Sequence, residues 1–350
     1  MPNRLQATAL RDFIETLFAA HGVAAAPAKA VARHMVWSEM VGRLNYGLER
    51  IPIHLKRLER GVLESRDLTS YRRVSDSAGH LDGGGGFGQY AAELAMDHAI
   101  ALARDTGVGV VAVSNSNSFG AGAYYINRAA EAGMIGIAAS NSFPKVAPFG
   151  GLRPVLGTNP FAFGAPRRDG RHLLVDMATS ATSGSKVVSK VAKGEPIPPG
   201  VAIDSSGQPV TDPARMAGAV LLPFGGAKGF GLGLMVEILS GVITGAGVGN
   251  GVASLFNDFT RSGNNGHFLM ALDIARFIGM EDYHARLEGL IAMIKAAGDG
   301  VLLPGEIRWR NYEDAERNGI AVDPGHWQTA VKLAEAAGVK VPDRTAGGPA

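Results

Sequence analysis

The sequence predicts a mixed α/β chain with helical segments at both ends. Short apolar runs of strand length, Val108–Val113 and Ile135–Ser140 among them, alternate with longer stretches of helical spacing. The 350 residues suffice for about two domains. Hydrophobic residues make up 46% and charged ones 19%, the balance of a globular chain rather than a disordered one.

Taken in order, residues 5–39 read as two helices. Ala7, Leu10, Phe13, Ile14, Leu17 and Phe18 have helical spacing, His21-Gly22 ends that helix, and Pro27 opens the next. Gly42 to Arg50 is a polar break before a helix from Pro52 to Arg60. Asp82 and four glycines form a turn, and a helix follows over 87–105. Val108–Val113, Ile135–Ser140, Phe161–Gly164 and Leu173–Asp176 are strands, with a helix over 120–132 between the first two. Residues 194–213, rich in Pro, Gly, Asp and Ser, read as a long ordered loop. Residues 281–298 and 326–337 are helical, and the last ten residues are expected to fray.

Several function classes drop out. A net charge of +2 implies no large basic surface for nucleic acid. The absence of cysteine removes disulfides, thiolate nucleophiles and thiolate metal sites, and fits a cytoplasmic enzyme. Phe230–Val248 is apolar enough to raise a membrane span, but Glu237 and five glycines interrupt it, so a buried core helix is expected. The nine histidines form no H-E-x-x-H or close pair, so no metal site is expected. No G-x-S-x-G elbow is present.

Two glycine-rich segments remain. Gly83, Gly85 and Gly88 match G-x-G-x-x-G, but Ser75–Leu81 before them is polar and the next strand ends in Ser114-Asn115 without a ribose-binding acid. A standard dinucleotide sheet is not expected there. Leu222–Leu232 surrounds Lys228 with glycines ahead of an apolar helix. Such a loop can seat a phosphate or carboxylate, or can simply start a tightly packed helix. It is not a Walker A loop, because Gly229 follows Lys228.

Four segments together carry a resemblance. They are Asn115-Ser116-Asn117-Ser118-Phe119-Gly120, Leu156-Gly157-Thr158-Asn159-Pro160, Asp176-Met177-Ala178-Thr179-Ser180, and Leu222–Leu232. Ile197-Pro198, Thr211-Asp212-Pro213, Asn265-Gly266-His267-Phe268 and Leu303-Pro304-Gly305-Glu306 add to them. The chain resembles the type 2 malate/L-lactate dehydrogenase family, which includes ureidoglycolate dehydrogenases and Δ1-piperideine-2-carboxylate reductases, from about residue 7 to about residue 325.

The resemblance implies a non-Rossmann NAD(P)-binding α/β fold, a homodimer, and hydride transfer at the carbon next to a carboxylate. It divides the chain into a helical substrate and dimer region (1–75), a cofactor domain (76–274), and a helical region packing back on the first (275–350). It places Lys228 and Gly229 near the cofactor pyrophosphate, and Asp176, Met177 and Ala178 beside the nicotinamide. Ser118, Phe119 and Gly120, ahead of a helix, and Gly305 and Glu306 match further cofactor positions. Thr158, Gly184 and Ser185 match substrate-side positions. A guanidinium grips a carboxylate in a bidentate way, so Arg50 is the first choice for the anchor and Arg43 the second.

The chain departs from the family pattern at the proton-transfer positions. Asn45-Tyr46 stands where the family usually has Ser-His, Ser118 replaces a second histidine, and Lys186 stands at a third position. Tyr46 is then a candidate acid if a neighbouring cation lowers its pKa, Lys145 is a second candidate, and His54 a third. The expectation is a reductase of a 2-oxo or cyclic 2-imino carboxylate using NADH or NADPH. A non-redox enzyme on the same fold, or a silent cofactor-binding protein, is the alternative. Arg167 and Arg168 are candidates for a 2′-phosphate contact, or simply residues of the turn before Asp169-Gly170.

Overall fold

A computed structural model describes residues 4–342. The chain opens with a short strand, β1 (Arg4–Leu5), then α1 (Ala7–Ala20) and α2 (Ala25–Met40). The apolar stripe of α1 is buried as its spacing predicts, and Gly22 takes a left-handed φ of 81° to turn the chain. Helix α2 is buried on most sides because it lies between two cores: Val31 and Met35 belong to a helical core, Trp37 to the sheet core. Two 3₁₀ turns, Leu44–Tyr46 and Leu48–Arg50, lead into α3 (Ile51–Glu59).

The next section builds the sheet: β2 (Ser70–Arg73), β3 (Ala78–Asp82), α4 (Gly88–Thr106), β4 (Val108–Ser116), α5 (Gly122–Glu131), β5 (Met134–Ser140), β6 (Phe161–Ala165) and β7 (Leu173–Met177). After it come α6 (Gly184–Ala192), the strand pair β8 (Ala202–Ile203) and β9 (Val220–Leu221), and α7 (Ala227–Glu237). Strand β10 (Asn265–Asp273) then returns to the sheet. Helices α8 (Met280–Lys295) and α9 (Glu306–Asn318), strand β11 (Ile320–Ala321) and helix α10 (Pro324–Ala336) end the chain. Strand β11 pairs antiparallel with β1, so both termini share the helical core.

The main sheet has seven strands in the order β2-β3-β4-β10-β5-β6-β7. Only β3 and β4 run parallel, joined through α4; the remaining pairs are antiparallel. This is a mixed α/β architecture and not the parallel sheet of a standard dinucleotide fold, as expected.

Four features correct the sequence reading. A strand, β3, does precede the G-x-G-x-x-G segment, with Gly79 and Leu81 alternately buried against β4. The central strand β10 escapes the reading because Phe268-Leu269-Met270-Ala271-Leu272 is a run of helix-tolerant residues with little β-branching. Helix α9 escapes it because its sequence is polar on almost every side. The apolar segment from Phe230 is not a buried core helix: α7 ends at Glu237, a π turn covers Ile238–Val242, and Leu234, Ile238, Val242 and Ile243 are exposed at 41, 43, 57 and 54%. Of the ten terminal residues expected to fray, 343–350 lie outside the described residues.

Candidate active site

A cleft of about 1090 Å³ opens where the helical core meets the sheet. Its walls come from the turn 42–50, the segment 117–120 after β4, the loop 140–145 after β5, the end of β7, the start of α6 and the loop 253–263. Arg308 of α9 and His326 of α10 complete it.

The turn 42–50 is held from beneath. The Glu39 carboxylate, 5% exposed at the end of α2, accepts the Leu48 N–H at 2.8 Å. It packs so tightly on Gly47 that any Cβ there would collide with it. Burial pushes the Glu39 carboxyl up to about 7, with Asp323 and Glu49 adding to the rise and the Leu48 N–H opposing it. The segment 117–120 is fixed in a similar way. Gly120 has φ 79° and lies against the His34 ring, whose Nε2 accepts the Ala121 N–H at 2.9 Å. Burial holds His34 down at about 3, so it is neutral.

Cations dominate the cleft. Among the described residues Arg50 meets one acid, Glu49, at 3.9 Å, and it lies over the Phe256 ring with Cζ 4.8 Å from its centroid. Lys145 has no ion-pair partner among the described residues; its Nζ lies 4.6 Å from the Phe143 centroid and 5.5 Å from that of Phe256. Burial, then the charge of Arg50, lowers the Lys145 pKa. Asp176 is already paired: Arg308 reaches its Oδ2 at 3.2 Å and the Leu174 carbonyl at 2.9 Å.

Tyr46 corrects one expectation. Burial and then Asp176 raise its pKa, outweighing Arg50, the Asn45 side chain and Arg43. No cation turns this phenol into a stronger acid.

The cleft gathers Arg43, Asn45, Tyr46, Arg50, Ser118, Phe119, Gly120, Lys145, Thr158, Asp176, Met177, Ala178, Gly184 and Lys186 from the sequence-derived set. Thr158 is oriented by a bond from its N–H to Ser142 Oγ at 3.0 Å. The side chain of Ser185 lies outside the described residues. His54 does not line the cleft: it is buried against Phe18 and Phe87, held down at about 3 by burial and then by Arg50 and Arg57. Lys228 is exposed in the first turn of α7, away from the cleft wall, and Gly229 packs against the Phe224 backbone, where a Cβ would not fit. Glu306 borders a separate hollow of about 340 Å³, where both its oxygens take Lys295 Nζ at 2.9 and 2.7 Å, and Gly305 packs with φ 96° against the backbone of His172 and Leu174. Arg167 and Arg168 are bound to Glu288 and Glu281, at 3.0 and 2.6 Å. No sequence signal marks Arg57, Phe256, Arg308 or His326, which the fold brings to the cleft.

The comparisons with known proteins agree with this architecture. The malate/L-lactate dehydrogenase family model matches residues 5–330. The chain is 37% identical over 286 residues to the L-sulfolactate dehydrogenase of Methanothermobacter thermautotrophicus, covering 82% of this chain and 83% of that one. It is 32% identical over 327 residues to a Δ1-pyrroline-2-carboxylate/Δ1-piperideine-2-carboxylate reductase of Pseudomonas putida, covering 91% and 93%. The solved sulfolactate dehydrogenase of Methanocaldococcus jannaschii superposes with a TM-score of 0.89 at 32% identity, covering 97% of this chain and 98% of that one. Relatives named for NAD(+) and for NADP(+) both occur. The chain belongs to the malate/L-lactate dehydrogenase family and is an oxidoreductase that uses NADH or NADPH.

Proposed function

We propose that the chain reduces a 2-oxo or cyclic 2-imino carboxylate at the carbon next to the carboxylate. One observation carries this reading: Arg50 and Lys145 converge on one cleft, and among the described residues neither meets a carboxylate closer than 3.9 Å. Arg50 anchors the substrate carboxylate, with Arg43 beside it, and Thr158 and the start of α6 at Gly184 border the substrate.

The cleft fits the cofactor in size. At about 1090 Å³ it is larger than a small acid needs, which leaves room for a nicotinamide beside Asp176–Ala178 and the segment 118–120. When bound, the reduced nicotinamide supplies the hydride. Lys228, without an ion pair among the described residues, stands at the N-terminus of the eleven-residue α7, the polarity a phosphate prefers.

Between the two candidate acids the electrostatics favour Lys145. Burial and Arg50 bring its pKa down toward the working pH, where general-acid efficiency is greatest. The Tyr46 phenol is shifted the other way, stays protonated, and serves as a hydrogen-bond donor to the substrate oxygen or nitrogen.

The reading includes a cytoplasmic homodimer. Leu234, Ile238 and Val242 form an exposed strip on α7 and its π turn. The same end of the molecule exposes Phe149 beside Gly226, and Val155, whose carbonyl lies beside Gly249. Exposed apolar side chains at successive turns of a helix call for a cover, and a second copy would supply it.

Titration with NADH and NADPH, followed by nicotinamide fluorescence, tests the cofactor site. Oxidation of the bound cofactor by a panel of 2-oxo and cyclic 2-imino acids tests the reaction. Cofactor binding without oxidation by any of them refutes the reductase reading.

A further inference from the structure

Like charges seldom sit close together unless something between them is attractive. In the cleft that something is aromatic. Arg50 Cζ lies 4.8 Å and Lys145 Nζ 5.5 Å from the centroid of the same ring, Phe256. Phe143 lies 4.6 Å from Lys145 Nζ and meets Phe256 edge-on, with centroids 6.2 Å apart and planes at 71°. A ring face attracts a cation through its quadrupole. Unlike a carboxylate, it leaves the full positive charge available to a ligand.

The loop behind Phe256 is anchored. Arg57 is fully buried, and its guanidinium donates to the carbonyls of Ser254, Asp258 and Arg261 at 3.4, 2.7 and 3.2 Å. Ser254 Oγ accepts the N–H groups of Phe256 and Asn257 at 3.3 and 3.2 Å. The backbone is therefore fixed while the Phe256 ring stays 38% exposed in the cleft wall.

We infer that Phe256 is a positioning residue for the substrate: its ring, backed by Phe143, holds Arg50 and Lys145 toward one bound acid, so that the carboxylate meets Arg50 while Lys145 faces the neighbouring oxygen or nitrogen. The role rests on the carboxylate reading above. Phe256 makes and breaks no bond. It acts by restricting two side chains that are otherwise rich in rotamers, so less freedom is lost when the acid binds. Arg57 supports it by fixing the loop.

The test compares Phe256→Leu, which keeps bulk and removes the ring, with Phe256→Tyr, which keeps the ring. In Phe256→Leu, KM for the accepted acid and Kd for the probe oxalate rise on the order of tenfold, the size of a desolvated cation–π contact, while Kd for NAD(P)H stays put. Phe256→Tyr restores the wild-type values. With lysines ¹³C-dimethylated, the Lys145 methyl signal is shifted upfield by ring current in wild type and moves back in Phe256→Leu, whether or not any acid turns over. Equal oxalate affinity in wild type and Phe256→Leu, or a Lys145 signal indifferent to the substitution, overturns the inference. A wild type that shows the Lys145 displacement yet binds no oxalate refutes the carboxylate reading instead and leaves the aromatic shelf standing.

Discussion

Replacing Glu39 by Gln isolates one charge that the fold buries at the edge of the cleft. Glu39 is 5% exposed and its carboxyl is pushed up to about 7 from an ordinary 4.5, chiefly by burial. Below pH 4.5 the folded and unfolded chains both hold the proton, and the site has no pH-dependent cost. Between 4.5 and about 7 the unfolded chain ionises first, so stability falls as pH rises; above about 7 the loss is complete. Its size is about 3 kcal/mol, a substantial share of the stability of a typical protein. The Gln variant cannot ionise, and its carbonyl oxygen still accepts the Leu48 N–H. Its buried amide NH₂ lacks a partner at every pH and therefore contributes a constant term. Urea unfolding of wild type and Glu39→Gln in parallel at pH 4.5, 6, 7 and 8 reads the difference, in which all other titrations cancel. The difference shifts toward the variant by about 3 kcal/mol from the lowest to the highest pH. A difference that is the same at every pH refutes the buried carboxyl, and with it this account of how the turn carrying Tyr46 and Arg50 is held.

Other consequences follow from the same electrostatics. Lys145→Met lowers turnover of the accepted acid by about a hundredfold or more at pH 7, whereas Tyr46→Phe costs less than about tenfold; the reverse order in kcat makes the phenol the acid. Asp176→Leu leaves the buried Arg308 guanidinium without its carboxylate and destabilises by about 3–5 kcal/mol, read as a fall in Tm; an unchanged Tm shows that carbonyl oxygens alone satisfy it. His54, held at about 3 by burial, is neutral in the fold while the unfolded chain protonates near 6.5, so its contribution is lost as pH falls. His54→Phe, packed against Phe18 and Phe87, flattens the acid limb by about 2 kcal/mol between pH 7 and 5 in urea unfolding, and an equally steep limb contradicts a neutral His54. Leu234→Glu, on the exposed face of α7, turns a dimer into a monomer by light scattering, and a variant that stays dimeric moves the interface elsewhere.

What the sequence made legible, and what it hid, divides along physical lines. Strands β4 to β7 are visible because strand-length apolar runs between helices have few other readings. Strand β10 is hidden because Phe, Leu, Met and Ala fit a helix as well as a strand, and only pairing with β4 and β5 decides. The exposed face of α7 is hidden for a related reason: hydropathy reports the wish to be covered, not what covers it. The turn 42–50 is legible as a polar break between helices, but only the family resemblance singles out Arg50 within it. Arg308 and Phe256 could not be read, because each is an ordinary residue until the fold brings it to the cleft.

The glycines show the same limit from the other side. Glycine density around Lys228 was the strongest local signal in the chain, yet Gly229 is required by the Phe224 backbone and Lys228 lies off the cleft wall. Gly88 likewise meets the Asn117 and Ser118 backbone so closely that a Cβ would collide, and a Cβ at Gly83 would crowd Asn115 and Ser116, which accounts for both without a phosphate. A glycine reports close approach of some atom, and the sequence does not say whether that atom belongs to a ligand or to the chain itself. Charge without a countercharge is the more discriminating mark. Arg128, Arg167, Arg168, Arg171, Arg276 and Arg308 each have a carboxylate within ion-pair distance, whereas among the described residues Lys145 has none and Arg50 has one only at 3.9 Å. Two half-buried cations that converge on one cleft without a close carboxylate are the arrangement expected where the missing anion is the substrate.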